Sequence, residues 1–78
     1  MIKIVFSDHA KEVNLKRKIQ KKQITETIRK PDEIKESFRG REIRRRKYKG
    51  KILEVVIIKE EKTITVITQY YLGEKNGS

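Results

Sequence analysis

The chain has 78 residues, 41% of them charged, and its 21 Lys and Arg against 11 Asp and Glu give a formal charge of +10. It contains no cysteine, which excludes disulfides, thiolate zinc sites and thiol catalysis. Its longest aliphatic run, Val55 to Ile58, falls far short of the roughly 20 apolar residues that a membrane span requires.

With no apolar signal-peptide core visible, the expectation is one soluble cytoplasmic domain over residues 1–72, followed by a flexible polar tail over 73–78. The excess of Lys, Arg, Glu and Ile over Asn and Gln has the character of thermophile proteins.

Ile2 to Phe6 alternates Ile2, Ile4 and Phe6 on one face and reads as a first strand. Ser7 and Asp8 offer a helix N-cap, and a short helix follows to about Arg17. Ile19, after a break at Lys18, is expected to plug the turn into the core. A second helix spans about Lys21 to Lys30, with Ile24 and Ile28 at i, i+4 as its buried stripe and Pro31 as its stop.

From Glu33 the period becomes extended. Strands are expected at Ile34 to Phe38, Arg41 to Tyr48, Lys51 to Lys59 and Thr63 to Tyr71, with turns at Arg39-Gly40 and Lys49-Gly50. Each turn supplies one glycine, whereas a tight I′ hairpin turn wants two positive-φ residues, so register stays open at this stage. Lys51 to Lys59 carries Leu53, Val55 and Ile57 on one side and Ile52, Val56 and Ile58 on the other, the pattern of a central strand covered on both faces. The fold class is α+β, two short N-terminal helices on one face of a small antiparallel sheet in the order β-α-α-β-β-β-β.

Charge is concentrated in one place. The thirteen residues Arg39 to Lys51 hold eight cations and a single acid, Glu42, a local charge of +7. Alternation sends Arg41, Ile43, Arg45 and Lys47 to one side of the strand and Glu42, Arg44, Arg46 and Tyr48 to the other. Four consecutive basic residues, Arg44 to Lys47, cannot lie between two apolar layers, because each unpaired buried charge costs several kcal/mol. The strand therefore belongs near an edge or on an open sheet face.

Two readings compete there. One is a solvated edge strand guarded against aggregation. The other is a nucleic-acid surface, most naturally for single-stranded RNA, made by Arg39, Arg41, Arg44, Arg45, Arg46, Lys47, Tyr48, Lys49 and Lys51, with guanidinium groups on phosphates and Tyr48, Tyr70 or Tyr71 as a stacking face. A membrane-surface role is disfavoured, since no amphipathic helix with aromatic anchors accompanies the cluster.

The lone histidine, His9, falls in the first turn of helix one and shares a ridge with Val13 and Arg17. No second His, Cys or acidic cluster stands at ligand spacing, so neither a metal site nor a cofactor is expected. Tyr70 and Tyr71 end the last strand on opposite faces, so that one packs and the other is available. RNA cleavage beside a 2′-hydroxyl needs a base, an acid and cations, which His9, a tyrosine and the arginine strand supply as ingredients. The more ordinary roles are a histidine that packs on Phe6 or bonds backbone, and core tyrosines.

Ser7-Asp8-His9-Ala10, Arg17-Lys18-Ile19, Ile24, Ile28-Arg29-Lys30-Pro31-Asp32, a Gly-Arg turn and a final strand ending in Tyr together resemble a small prokaryotic family, domain of unknown function 4258. Its usual opening is His-Ala-x-x-Arg-x-x-x-Arg-x-Ile, and the likeness runs from about Ile2 to Tyr71. His9 and Arg17 match that motif, while Val13 stands at its first Arg. The family is similar in fold to RelE and ParE toxins. The resemblance implies a ribosome-dependent mRNA endoribonuclease or a non-cleaving relative, with gyrase inhibition as a minor variant and an acidic antitoxin as partner. His9, Arg17, Tyr70 and Tyr71 are the catalytic candidates.

The alternative is a non-catalytic module whose basic face receives an acidic protein. A duplex-DNA binder lacks a recognition helix in this sequence. Exposed strand edges leave a homodimer open.

Overall fold

The computed structural model describes residues 2–37 and 39–72. Its elements run β1 (Lys3–Phe6), α1 (Asp8–Arg17), α2 (Lys21–Arg29), β2 (Glu33–Glu36), β3 (Arg41–Tyr48), β4 (Lys51–Lys59) and β5 (Thr63–Leu72). The expected order and α+β class hold. The five strands lie in the order β1-β5-β4-β3-β2, antiparallel from β2 to β5, and β1 joins in parallel beside β5, making the sheet mixed. Phe38, the expected end of β2, and the tail over 73–78 lie outside the described residues.

Local chemistry fixes the ends of α1. The Ser7 hydroxyl accepts the amide of Ala10 at 3.1 Å, so Ser7 is the N-cap and Asp8 occupies the first turn. Lys18 closes the helix in the left-handed region at φ 53°. The Asn14 side chain then clamps the connector, its Nδ2 donating to the Ile19 carbonyl and its Oδ1 accepting the Ile19 amide, both at 2.9 Å. That clamp presents Ile19 to the core, where it is buried.

The two helices are held differently. In α2 the stripe of Ile24, Thr27 and Ile28 is buried, and its two isoleucines share one core with Leu53, Val55 and Ile57 of β4 and with Ile64 and Val66 of β5. Each fully buried aliphatic side chain contributes about 1.5–3 kcal/mol. Only Ala10 is buried in α1, so polar ties do much of its holding: Gln69 Nε2 donates to the Ala10 carbonyl at 3.1 Å and Arg17 Nη1 to the Gln69 carbonyl at 3.0 Å.

Both hairpin turns use the conformation that the sequence made doubtful. Lys49 and Gly50 lie at φ 45° and 83°, and Arg39 and Gly40 at 64° and 71°. The Lys49-Gly50 turn joins the paired residues Tyr48 and Lys51, a two-residue turn with both φ positive that fixes the β3–β4 register.

A β-bulge interrupts the β4–β5 ladder. Val56 faces Thr68 while its neighbour Ile57 faces Val66, which leaves Ile67 as the extra residue. The bulge lies where β1 gives way to α1: the Ser7 amide donates to the Val66 carbonyl and the Ser7 hydroxyl to that of Ile67.

One expectation for β4 is corrected. It is central and its Leu53, Val55 and Ile57 are buried, but among the described residues no element covers the other face, where Ile52, Val56 and Ile58 stay half-buried. Both helices pack on one side, leaving the second sheet face open.

Candidate nucleic-acid interface

Register assigns each basic residue of β3 to a face. Glu42, Arg44 and Arg46 pair with Ile57, Val55 and Leu53, so they point toward the helices. Arg41, Ile43, Arg45 and Lys47 pair with Ile58, Val56, Glu54 and Ile52 and point to the open face. With β2 outside it, β3 lies one strand in from the edge, near an edge and with one face open as its charge required.

On the helix side the arginines complete α2. A helix ends with unsatisfied carbonyls and a negative dipole end, and Pro31 has no amide with which to relieve it. Arg44 Nη1 donates to the Ile28 carbonyl at 2.5 Å and Arg46 Nη1 to the Lys30 carbonyl at 2.6 Å. Arg44 is also ion-paired to Glu42 at 2.6 Å, and the Arg46 guanidinium lies 5.7 Å from the Tyr48 ring centroid.

The open face holds a buried carboxylate. Glu54, 4% exposed, receives Arg45 Nε at 2.5 Å and the hydroxyl of Tyr70, while Arg45 Nη1 reaches Glu33 at 3.3 Å. The hydrogen bond to Glu54 raises the Arg45 pKa above its ordinary value. Burial first, and the bond to Glu54 second, push the Tyr70 phenol up to about 12. Tyr70 is therefore a neutral donor at physiological pH and a poor base.

The expected interface residues thus divide. Arg44, Arg45 and Arg46 are occupied with backbone carbonyls and carboxylates. Among the described residues, the side chains of Arg39, Arg41, Lys47 and Lys49 make no ion pair, and Arg39, Lys47 and Lys49 are exposed. Lys51 stands 5.2 Å from the centroid of the Tyr71 ring. Tyr48 and Tyr71 both point to the helix side and meet at Gln23, whose carbonyl accepts the Tyr48 hydroxyl at 3.3 Å and whose Oε1 accepts that of Tyr71 at 2.6 Å. Tyr71 packs against the core and Tyr70 faces out. Each of the three rings already carries a cation within 5.8 Å, so a base would stack only by displacing it.

The catalytic candidates come together in part. Arg17 lies 5.8 Å from the Tyr70 ring centroid. His9 is exposed on the first turn of α1, eight residues and thus about 12 Å along the axis from Arg17, with half-buried Val13 between them on the ridge. Among the described residues its side chain makes no hydrogen bond to backbone. Tyr71 faces the opposite side of the sheet from Tyr70.

Sequence reasoning overlooked Glu54, Gln69 and Gln23. Glu54 had a signal, being the sole acid inside the strand Lys51–Lys59, where a buried carboxylate demands a cation from the neighbouring strand. Gln69 and Gln23 gave none.

Fold and surface together define a small α+β protein in which half of a basic strand is committed to its own architecture and half is presented to solvent. The family model described as Domain of unknown function (DUF4258) matches residues 6–71, and the chain belongs to that family. No curated protein and no solved structure matches it.

Proposed function

We propose that the protein binds single-stranded RNA by its phosphate backbone, through the open-face cations Arg41 and Lys47 and the turn cations Arg39 and Lys49. One observation carries this reading: these four cations have no carboxylate partner among the described residues, whereas acids have been placed against neighbouring Arg44 and Arg45. Uncompensated charge at both ends of β3, about 20 Å apart along the strand, in a +10 chain favours an extended polyanion. With the tyrosine rings occupied, phosphate contacts supply the affinity and sequence preference is weak.

The test is titration of labelled single-stranded RNA with the protein and with the Arg41→Ala/Lys47→Ala/Lys49→Ala variant across salt concentrations. Four contacts give a log–log salt slope of about −3, and losing three flattens it by about 2 with a large loss of affinity at low salt. Unchanged affinity and slope in the variant would sink the proposal. Replacing Arg44, Arg45 and Arg46 is a poor test, because those side chains hold α2 and Glu54.

The likeness to RelE and ParE toxins adds a second reading, ribosome-dependent cleavage of mRNA, favoured by the adjacency of Arg17 and Tyr70. Against it stand the commitment of the Tyr70 hydroxyl to Glu54 and the distance to His9. Cleavage by the parent protein with ribosomes present, lost in Arg17→Ala, would support an endoribonuclease. Binding with no cleavage supports the first reading alone.

A further inference from the structure

The two outer edges of the sheet are unequal. At one, β2 reads Glu-Ile-Lys-Glu, with charges of both signs that discourage pairing with another chain. At the other, β1 reads Lys-Ile-Val-Phe, with one charge at its start. The amides of Lys3 and Ser7 donate inward to the carbonyls of Lys62 and Val66. Strand alternation then turns the N–H and C=O groups of Ile4 and Phe6 outward, and no described residue bonds them.

A groove runs between that edge and α1. Ile4, Phe6 and the exposed side chain of Leu15 (76%) supply its greasy surface, and the exposed Val5 (38%) lies on the other side of the same edge. Lys11 and Lys21 stand along it on the α1 side and Lys3 on the opposite sheet face, and among the described residues no acid lines it; Glu12 belongs to a different surface of α1, beside His9. Lys21 lies 5.5 Å from the Phe6 ring centroid, which fixes one ammonium over the groove.

From this juxtaposition we infer a second binding site: the β1 edge takes an extended segment of a protein partner as an added strand, with apolar and acidic side chains on each of its faces. Ladder bonds to Ile4 and Phe6 hold its backbone; on the α1 side its apolar side chains lie against Phe6 and Leu15 and its carboxylates meet Lys11 and Lys21, and on the other side they meet Val5 and Lys3. A second copy of this chain does not fit, since β1-to-β1 pairing would bring two sets of Lys3, Lys11 and Lys21 together. The site is separate from the RNA surface on β3 and does not depend on that reading.

The probe is a short fluorescent peptide of Val-Val-Glu-Glu repeats, which puts both residue types on each face of a strand, compared with the matching Val/Lys peptide and with the Val/Glu peptide N-methylated at alternate amides. Anisotropy should show binding of the first, at least tenfold weaker binding of the other two, and at least tenfold weaker binding to Lys3→Glu/Lys11→Glu and to Leu15→Glu. These positions are exposed, so the variants keep the fold, and amide exchange should slow at Ile4 and Phe6 upon binding. The Arg41/Lys47/Lys49 variant should bind the peptide as the parent does while losing RNA, so failure of one site is readable apart from failure of the other. Equal binding of the Val/Lys peptide, no protection at Ile4 and Phe6, or self-association through β1 in place of peptide binding would overturn the inference.

Discussion

The two faces of the sheet solve opposite problems with the same strands. On the helix side, Leu53, Val55 and Ile57 are fully buried beneath Ile24 and Ile28, and the arginines that share this face reach past them to the end of α2. On the open side, Val56 and Ile58 are half-buried and the ordered feature is electrostatic: Glu54 between Arg45 and Tyr70. The packed face thus gains stability from dispersion and area, whereas the open face holds a buried charge that has to be kept compensated. The lesson is that a run of four basic residues need not act as one surface, because alternation gives each face of the sheet only half of it.

The sharpest way to break this comparison is truncation within one strand. Leu53→Ala on the packed face should cost roughly 3 kcal/mol or more and lower Tm by many degrees, whereas Val56→Ala on the open face should cost about 1 kcal/mol. Equal losses in denaturant melts would mean that the open face is covered in solution.

Next in size is the ion pair. Arg45→Ala leaves a buried carboxylate and should cost roughly 3 kcal/mol, near the low end for such a loss because Tyr70 still donates to Glu54 and Arg45 is partly exposed. The Arg45→Met/Glu54→Leu double variant should recover most of it, since removing both charges also removes the desolvation penalty. A double variant as unstable as the single would show that the pair itself holds the sheet together.

The smallest effect is a titration. Subtracting the phenolate absorbance curve of Tyr70→Phe from that of the parent should reveal one group with a midpoint of about 12. Glu54→Gln should move that midpoint back toward 10, the ordinary tyrosine value. Because the folded pKa is the raised one, the proton on Tyr70 is fully held in both states below pH 10. From there to about 12 the unfolded chain releases it first, so stability falls as pH rises through that window. A midpoint near 10 in the parent would dissolve the Tyr70–Glu54 bond as a feature in solution.

Much of the architecture was legible. Boundaries of α1, α2, β3 and β4 followed from Ser7, Pro31 and the two glycine turns, since capping, missing amides and positive φ act over a few residues. The candidate site was legible in composition and not in partnership. That Arg44 and Arg46 would reach carbonyls at Ile28 and Lys30 depends on α2 crossing the sheet beside β3, a contact between segments sixteen residues apart.

The sequence by itself determined the element order, the lone central apolar strand and the placement of charge on both sides of β3, because side-chain period is a property of the chain. It also put Tyr70 and Tyr71 on opposite faces. Which of them packs was decided by tertiary structure: continuing the alternation of Ile64 and Val66 would have buried Tyr70, and the bulge at Ile67 reverses the parity so that Gln69 and Tyr71 turn to the helices and Tyr70 to Glu54. One unpaired residue in a ladder costs little locally, yet it inverts every side chain beyond it. Only the pairing of β5 with β4 on one side and with β1 and α1 on the other fixes where that residue falls.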